Sequence, residues 1–206
     1  GRPCWGGLDL ASTTDIAAFV LACPDDEGGI DVLPTFWIPA ENARLRERRD
    51  RVPYEAWIKQ KLIRSTSGDV IDFNQIREDI LKMHEEYNIQ DIAVDRWNST
   101  SLVTDLEGEG VKVAMFGQGF RSMSAPSKDL EALVMGRKCH HGNNAVMRWM
   151  ASNVSIQSDP AGNIKPSKKT STEKIDGIVA LVMALARSSQ AGNTGSVYDD
   201  RGITIL

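Results

Sequence analysis

The sequence has little that would commit it to a disulfide framework, a membrane or a nucleotide-driven motor. Among its 206 residues are three cysteines, Cys4, Cys23 and Cys139. None has metal-ligand spacing, and so few suggest a reducing compartment in which the thiols are packed or idle. The longest apolar run, residues 178–186, falls far short of the roughly 20 residues that cross a bilayer. No signal-peptide pattern opens the chain, no internal repeat is apparent, and no G-x-x-x-x-G-K-[ST] phosphate loop occurs. Positive charge is not in excess either: the net charge is −4, which argues against a protein coated in nucleic acid.

With 41% hydrophobic and 25% charged residues, the chain is expected to form one soluble domain with an ample core. It opens at Gly1 rather than Met, as a domain excised from a longer protein would. Basic residues cluster at Arg44, Arg46, Arg48, Arg49 and Arg51, at Arg137, Lys138, His140 and His141, and at Lys165, Lys168, Lys169 and Lys174. Each cluster alone reads as a solvated face. Several bordering one cleft would make a phosphate groove.

The chain is organised around Trp5-Gly6-Gly7-Leu8-Asp9-Leu10-Ala11-Ser12-Thr13-Thr14-Asp15. This reads as a short strand running through small residues into a tight turn, with a carboxylate on each side. A second strand over 16–22 completes an antiparallel hairpin, and a third covers 30–38, where Pro34 suggests an edge or irregularity. Residues 41–51 read as a short exposed helix or mobile arm. Pro53 can open a helix over 54–62, and 63–71 is irregular. Over 72–87, Phe73, Ile76, Ile80, Met83 and Tyr87 recur at helical spacing, with Asp72 and Gln75 suited to capping. A strand over 91–95, a helix over 99–107 and a strand over 111–116 form a parallel βαβ-type unit. Then come a Gly/Ser-rich loop over 117–126, helices over 127–137 and 144–151, and a hairpin of 153–158 with 163–166. The last helix, 170–187, carries a Thr170/Glu173 capping box and apolar residues on all sides, which requires burial against the sheet. The expected fold is α/β, a mixed sheet of three antiparallel strands then parallel ones, flanked by helices and carrying an extra hairpin. Residues 1–188 form the domain and 189–206 a loose tail.

Three acids sit awkwardly in this scheme. Asp9 is on a strand inside the sheet, Asp95 ends the apolar run Ile92-Ala93-Val94, and Asp176 is the only acid in the apolar stretch of the last helix. A buried carboxylate is costly unless a cation sits beside it. One such acid is ordinarily a turn or cap residue; three in succession point to convergence on divalent metal. Hydrolysing a phosphodiester needs charge neutralisation and an activated water, which two ions roughly 4 Å apart supply. Hard ions such as Mg²⁺ take carboxylate oxygens. Asp9 could bridge both ions, with Asp95 and Asp176 each holding one side; without metal the three charges would repel. Asp15 is either a turn residue or an auxiliary acid. Candidate DNA contacts are Lys168, Lys169, Lys174, Arg96 and His141, although paired histidines such as His140 and His141 more commonly lie at the surface or a helix end. Trp97 suits packing under its loop better than substrate contact.

Several segments carry a family resemblance: 7–15, Ala93-Val94-Asp95-Arg96, Gln118-Gly119-Phe120, His141-Gly142-Asn143-Asn144, Trp149-Met150-Ala151-Ser152-Asn153 and Lys174-Ile175-Asp176-Gly177-Ile178-Val179-Ala180. Together they resemble the ribonuclease H-like nuclease fold, with its mixed five-stranded-type sheet, and more closely the C-terminal nuclease domain of tailed-bacteriophage large terminases. The resemblance implies an endonuclease that uses two Mg²⁺ or Mn²⁺ ions to cut concatemeric double-stranded DNA at the start and end of head filling, in the host cytoplasm. It implies metal chemistry at Asp9, Asp95 and Asp176, with Asp15 as an accessory acid. Its implied partners are DNA, an ATPase domain of the same polypeptide, a small terminase subunit and a portal protein. The packaging ATPase itself would belong to that other domain. A Holliday-junction resolvase or transposase would share fold and metals but differ in substrate. A docking module for DNA or portal would keep the acids as structural residues. Sugar kinases and actin-like ATPases share the Asp-bearing hairpin but need a second large lobe.

Overall fold

The structure, a computed structural model, describes residues 1–10, 15–95 and 100–192. Its first three strands, β1 (Pro3–Asp9), β2 (Ala17–Pro24) and β3 (Ile30–Pro39), pair antiparallel in sequence order. β5 (Asn88–Asp95) then adds parallel to β1, and β6 (Val113–Phe116) adds parallel to β5. Two short strands, β4 (Arg64–Thr66) and β7 (Cys139–His140), pair parallel with opposite ends of β3. The resulting sheet has seven strands in the order β4-β3-β2-β1-β5-β6, with β7 also on β3. The expected mixed sheet is present, and β4 and β7 extend it.

Strand periodicity sorts the core into two faces. Along β2, Ala17, Phe19, Leu21 and Cys23 face one side, where Ile76, Ile80 and Met83 of α3 (Phe73–Glu86) and Leu102 and Leu106 of α4 (Thr100–Gly108) cover them. Ala18, Val20 and Ala22 face the other side, against Ala180, Leu181 and Ala184 of α7 (Asp176–Gly192). The capping of α3 is as its sequence suggests: the Asp72 side chain accepts from the backbone N–H groups of Asn74 and Gln75. On the α7 side lie also α1 (Ala40–Asp50), α2 (Tyr54–Lys59) and α6 (Ala145–Asn153), through Ala43, Tyr54, Trp57, Met147 and Met150. A separate two-stranded hairpin, β8 (Ile156–Ser158) with β9 (Ile164–Pro166), stands beside the sheet.

The contact of α7 with β1 decides where the site forms. A Cβ on Gly7 would come within 1.9 Å of the Ala180 carbonyl oxygen and 2.9 Å of the Ala184 nitrogen. Only a residue without a side chain lets the helix backbone lie directly on the strand. Further along, Arg187 forks onto Asp91 of β5 with contacts of 2.9 and 2.8 Å, a paired geometry that fixes orientation.

Several local expectations give way to tertiary contacts. α1 is the expected short helix with a largely exposed surface, but Ala43 and Arg46 on it are buried. Most of the expected 117–126 loop, from Phe120 on, is the first part of α5 (Phe120–Met135), with Pro126 inside the helix. Met123, Ser124, Pro126 and Ser127 are all buried there, so packing outweighs the backbone hydrogen bond that proline removes. The Thr170/Glu173 capping box does not form, and α7 begins only at Asp176. Ser171 Oγ instead donates to Ser167 O and accepts from Ser155 N, tying this segment to the chain entering the hairpin. α7 also runs on to Gly192, so 189–192 is helix rather than tail, while 193–206 lies outside the described residues. Cys4 and Cys23 are disulfide-bonded rather than idle. The β1–β2 register, with Trp5 opposite Ala22, faces them across the ladder, a relation that cysteine spacing alone does not reveal. Cys139 is free and half-buried, and burial pushes its thiol up.

Gly7→Ala is expected to destabilise the domain by about 1–3 kcal/mol or more, the usual range for overpacking, read from urea unfolding. Gly6→Ala, whose Cβ would have side-chain atoms of Phe19 and Ile92 as its nearest neighbours rather than backbone, is expected to cost less. Equal losses at the two positions would refute the backbone-contact account.

Candidate metal centre

Asp9 ends β1, and Leu8 pairs with Val94 of β5, so one step further places Asp9 and Asp95 side by side at the same sheet end. Side-chain alternation puts both on the face that α7 covers, since Val94 packs on the opposite face and Ala93 packs with Val179 and Val182 of α7. Asp176 opens α7 one helical turn before Ala180, the residue lying over Gly7. Asp9 lies two residues beyond Gly7 on the strand. The two acids therefore meet because strand and helix are in backbone contact just behind them.

Both carboxylates are almost fully buried, Asp9 at 1% exposure and Asp176 at 4%. Between them lies the Lys168 ammonium, with Nζ 2.6 Å from Asp9 Oδ2 and 2.8 Å from Asp176 Oδ1. The lysine side chain is 40% exposed, so its stem reaches in from solvent while its tip is clasped. The contact to Asp9 Oδ2 has ion-pair distance but not hydrogen-bond direction, and that oxygen has no hydrogen-bond partner among the described residues. Asp9 Oδ1 accepts from Gln118 Nε2 at 3.1 Å. Gln118 is itself held by Lys165, whose Nζ donates to its carbonyl at 3.1 Å and lies 5.3 Å above the Phe120 ring.

Burial pushes the Asp176 carboxyl up to about 6, an effect that Lys168 opposes and the Asp9 charge reinforces. Burial would lower the Lys168 ammonium, but the two carboxylates outweigh it and hold the group above its ordinary value. Beside this pair is a cleft of about 320 Å³ lined by Asp15, Lys168, Thr172, Lys174 and Asp176. Asp15 accepts from Arg46 Nη1 at 2.5 Å and from Lys174 Nζ. Its burial favours the neutral form, but the hydrogen bonds from Lys174 and Arg46 prevail and hold the carboxyl below the usual range.

The sequence-derived candidates are thus dispersed among different roles. Asp9 and Asp176 share one cation, Asp95 stands next to Asp9 in the sheet, and Asp15 joins the cleft through its own pair of cations. Lys168 and Lys174 are engaged with carboxylates, while Lys169 is exposed. His141 lines a different, largely apolar cavity with Ser127, Met147 and Leu181. Arg96 and Trp97, like Ser12, Thr13 and Thr14, lie outside the described residues. Gln118 and Arg46 had no assigned role from sequence alone. A glutamine after a strand looks like any loop residue, and Arg46 is one of five arginines in a charged run.

The donors suit a hard divalent ion: carboxylate oxygens, two of them deeply buried and already gathered around a positive charge. Among the described residues, no three His, Cys, Asp or Glu side chains are drawn together into a closed metal-binding group. Asp9 and Asp176, with Asp95 beside them, are the residues that would hold such an ion.

Comparison with known proteins places the chain in a family. Residues 1–191 match the model of the terminase large subunit, endonuclease domain, and the chain belongs to that family. It is 33% identical over 202 residues to the terminase large subunit of Enterobacteria phage HK97, covering 97% of this chain and 40% of the relative. The crystal structure of the HK97 large terminase superposes with a TM-score of 0.85, covering 91% of this chain and 40% of that one. The fold alone is shared with the large terminase nuclease from thermophilic phage G20c with bound magnesium, at TM-score 0.59 and 12% identity, over 90% of this chain and 82% of that one. It is also shared with the large terminase nuclease domain of bacteriophage SPP1 with bound Mn, at TM-score 0.52 and 14% identity, over 91% and 87%. The chain thus spans about two-fifths of the length of its HK97 relative.

Asp15→Ala is expected to destabilise the domain by about 3 kcal/mol at pH 7, because it leaves Arg46 buried without its partner. A carboxyl with a depressed folded pKa stabilises above its unfolded value, about 3.9, and loses that contribution as pH falls through the lower folded value. The gap between wild type and variant in urea unfolding should therefore close below about pH 4. Gln118→Ala removes the hydrogen bond to the buried Asp9 Oδ1 and is expected to destabilise the domain by about 1–3 kcal/mol in urea unfolding; unchanged stability would show that the bond does not hold the carboxylate.

Proposed function

We propose that this chain is the DNA-cutting part of a viral packaging terminase, a divalent-metal-dependent endonuclease acting on double-stranded DNA. The observation that carries the reading is the pair of buried carboxylates, 167 positions apart in sequence (176 − 9), closed around one cation at the end of the central strand. A purely structural role would leave them an expensive way to fill a core. The relatives solved with magnesium and Mn support the choice of ion.

In this reading Asp9, Asp95 and Asp176 hold two Mg²⁺ or Mn²⁺ ions, which activate a water and offset charge on the scissile phosphodiester. The protein's own task is to hold acceptor oxygens in fixed directions before substrate arrives. Gln118 sets the Asp9 carboxylate, and the start of α7 sets Asp176. Asp15, with Arg46 and Lys174, shapes the cleft as an accessory acid. Lys169 and the exposed Arg44, Arg48 and Arg49 of α1 can meet the DNA backbone without reading bases. The products are a 3′-hydroxyl and a 5′-phosphate. In the full protein the same polypeptide carries the ATPase motor, works with a small terminase subunit and portal in the host cytoplasm, and cuts concatemeric DNA at the start and end of head filling. No helix among the described residues is long and apolar enough to cross a membrane.

Purified protein is expected to nick supercoiled plasmid in Mn²⁺ or Mg²⁺ and to stop in EDTA. Asp9→Asn should lower the rate by about 100-fold or more, as loss of a preorganised charge at a transition state does. Plasmid left intact under every divalent condition would refute the proposal in favour of a docking module.

A further inference from the structure

Lys168 lies just beyond the hairpin strand β9, in the segment 167–175 that replaces the first turns expected of α7. That segment is fastened to the chain before the hairpin rather than to the sheet: Ser167 N donates to Ser155 O at 2.9 Å, and Ser155 Oγ donates to Thr170 O at 3.0 Å. The ammonium reaches two buried acids, contributed by the sheet and by α7, from a third structural unit. Its two contacts, 2.6 and 2.8 Å, hold one oxygen of each carboxylate. With Asp9 Oδ1 taken by Gln118, a divalent ion bridging Asp9 and Asp176 would take Asp9 Oδ2 and fill the gap that the ammonium now fills. One ammonium and one hard cation cannot both lie between them at such distances, since oxygen-to-metal contacts of about 2.0–2.1 Å are needed for Mg²⁺.

We propose that Lys168 is a built-in competitor of the metal: a tethered cation that neutralises the acid pair and must withdraw, on its hairpin-anchored segment, before a divalent ion binds. This inference rests on the nuclease reading and concerns how the same centre is loaded. Mutual exclusion is a negative coupling between the lysine contact and metal, and such coupling is reciprocal. Lys168 therefore raises the metal concentration at which the centre fills and protects the acid pair from its own repulsion below that concentration. The half-exposed stem gives the ammonium a route outward without disturbing the core.

The test is Mn²⁺ affinity, by isothermal titration calorimetry, of wild type, Lys168→Met, Lys168→Arg, Lys169→Met and Asp9→Asn. Lys168→Met keeps the stem and deletes the competing charge, and it is expected to bind Mn²⁺ about tenfold more tightly, or better. Lys168→Arg retains a cation and should not show this gain. Lys169→Met makes the same change in net charge at a neighbouring exposed position and should bind as wild type. Should Lys168→Met require metal to fold, its melting temperature reads the same competition: lower than wild type in EDTA, and raised further by Mn²⁺. Affinity unchanged or weakened in Lys168→Met, with binding still lost in Asp9→Asn, overturns the competition and leaves the nuclease reading standing. Gains of equal size in Lys168→Met and Lys169→Met would also overturn it, as a general charge effect. No Mn²⁺ uptake by any of the five would sink both.

Discussion

A helix backbone resting on a strand backbone is the constraint from which the site follows. Gly7 has no side chain to hold α7 away, so Ala180 and Ala184 settle directly on β1. The start of the helix is then close enough to the end of the strand for Asp176 and Asp9 to share one ammonium. A single methyl group at the contact would separate the two acids without touching either. The geometry is fixed further by Arg187 on Asp91, which secures the helix past that contact. Position here comes from apolar packing and close approach; the charged groups are placed by it.

Once placed, the acids are tolerated only because each has compensation. Asp9 and Asp176 share Lys168, and Asp15 draws on Arg46 and Lys174. A desolvated charge with no partner is among the most destabilising features a core can contain. At Asp176, burial and the Asp9 charge outweigh Lys168, so the ammonium offsets only part of the cost of placing that carboxyl in the core.

Much of this was legible in the residues. Asp in an otherwise apolar strand, and again in an otherwise apolar helix, marks an exception that packing alone does not explain, so Asp9 and Asp176 stand out. The long amphipathic pattern around Ile76, Ile80 and Met83 identifies α3 because its period is sustained. Where sequence reasoning failed, the signal was short or the cause lay elsewhere in the chain. β4 and β7 have three and two residues, too few to show alternation. Thr170 and Glu173 have the right spacing for a cap, but the hydroxyl next to Thr170 is taken up by the chain entering the hairpin. Pro126 suggested a break that burial of its neighbours overrides. Lys168 could be recognised as positive charge near a candidate acid, but its reach between two carboxylates depends on a loop course that no local pattern encodes. The Cys4–Cys23 bond likewise depends on strand register rather than on cysteine spacing.

That bond also makes the first hairpin mechanically unequal. Cys4 and Cys23 lock together the ends of β1 and β2 remote from Asp9. Asp9 lies at the other end of the pair, opposite Ala18. One end of the strand pair is therefore held by a covalent bond, and the carboxylate end by packing and hydrogen bonds alone.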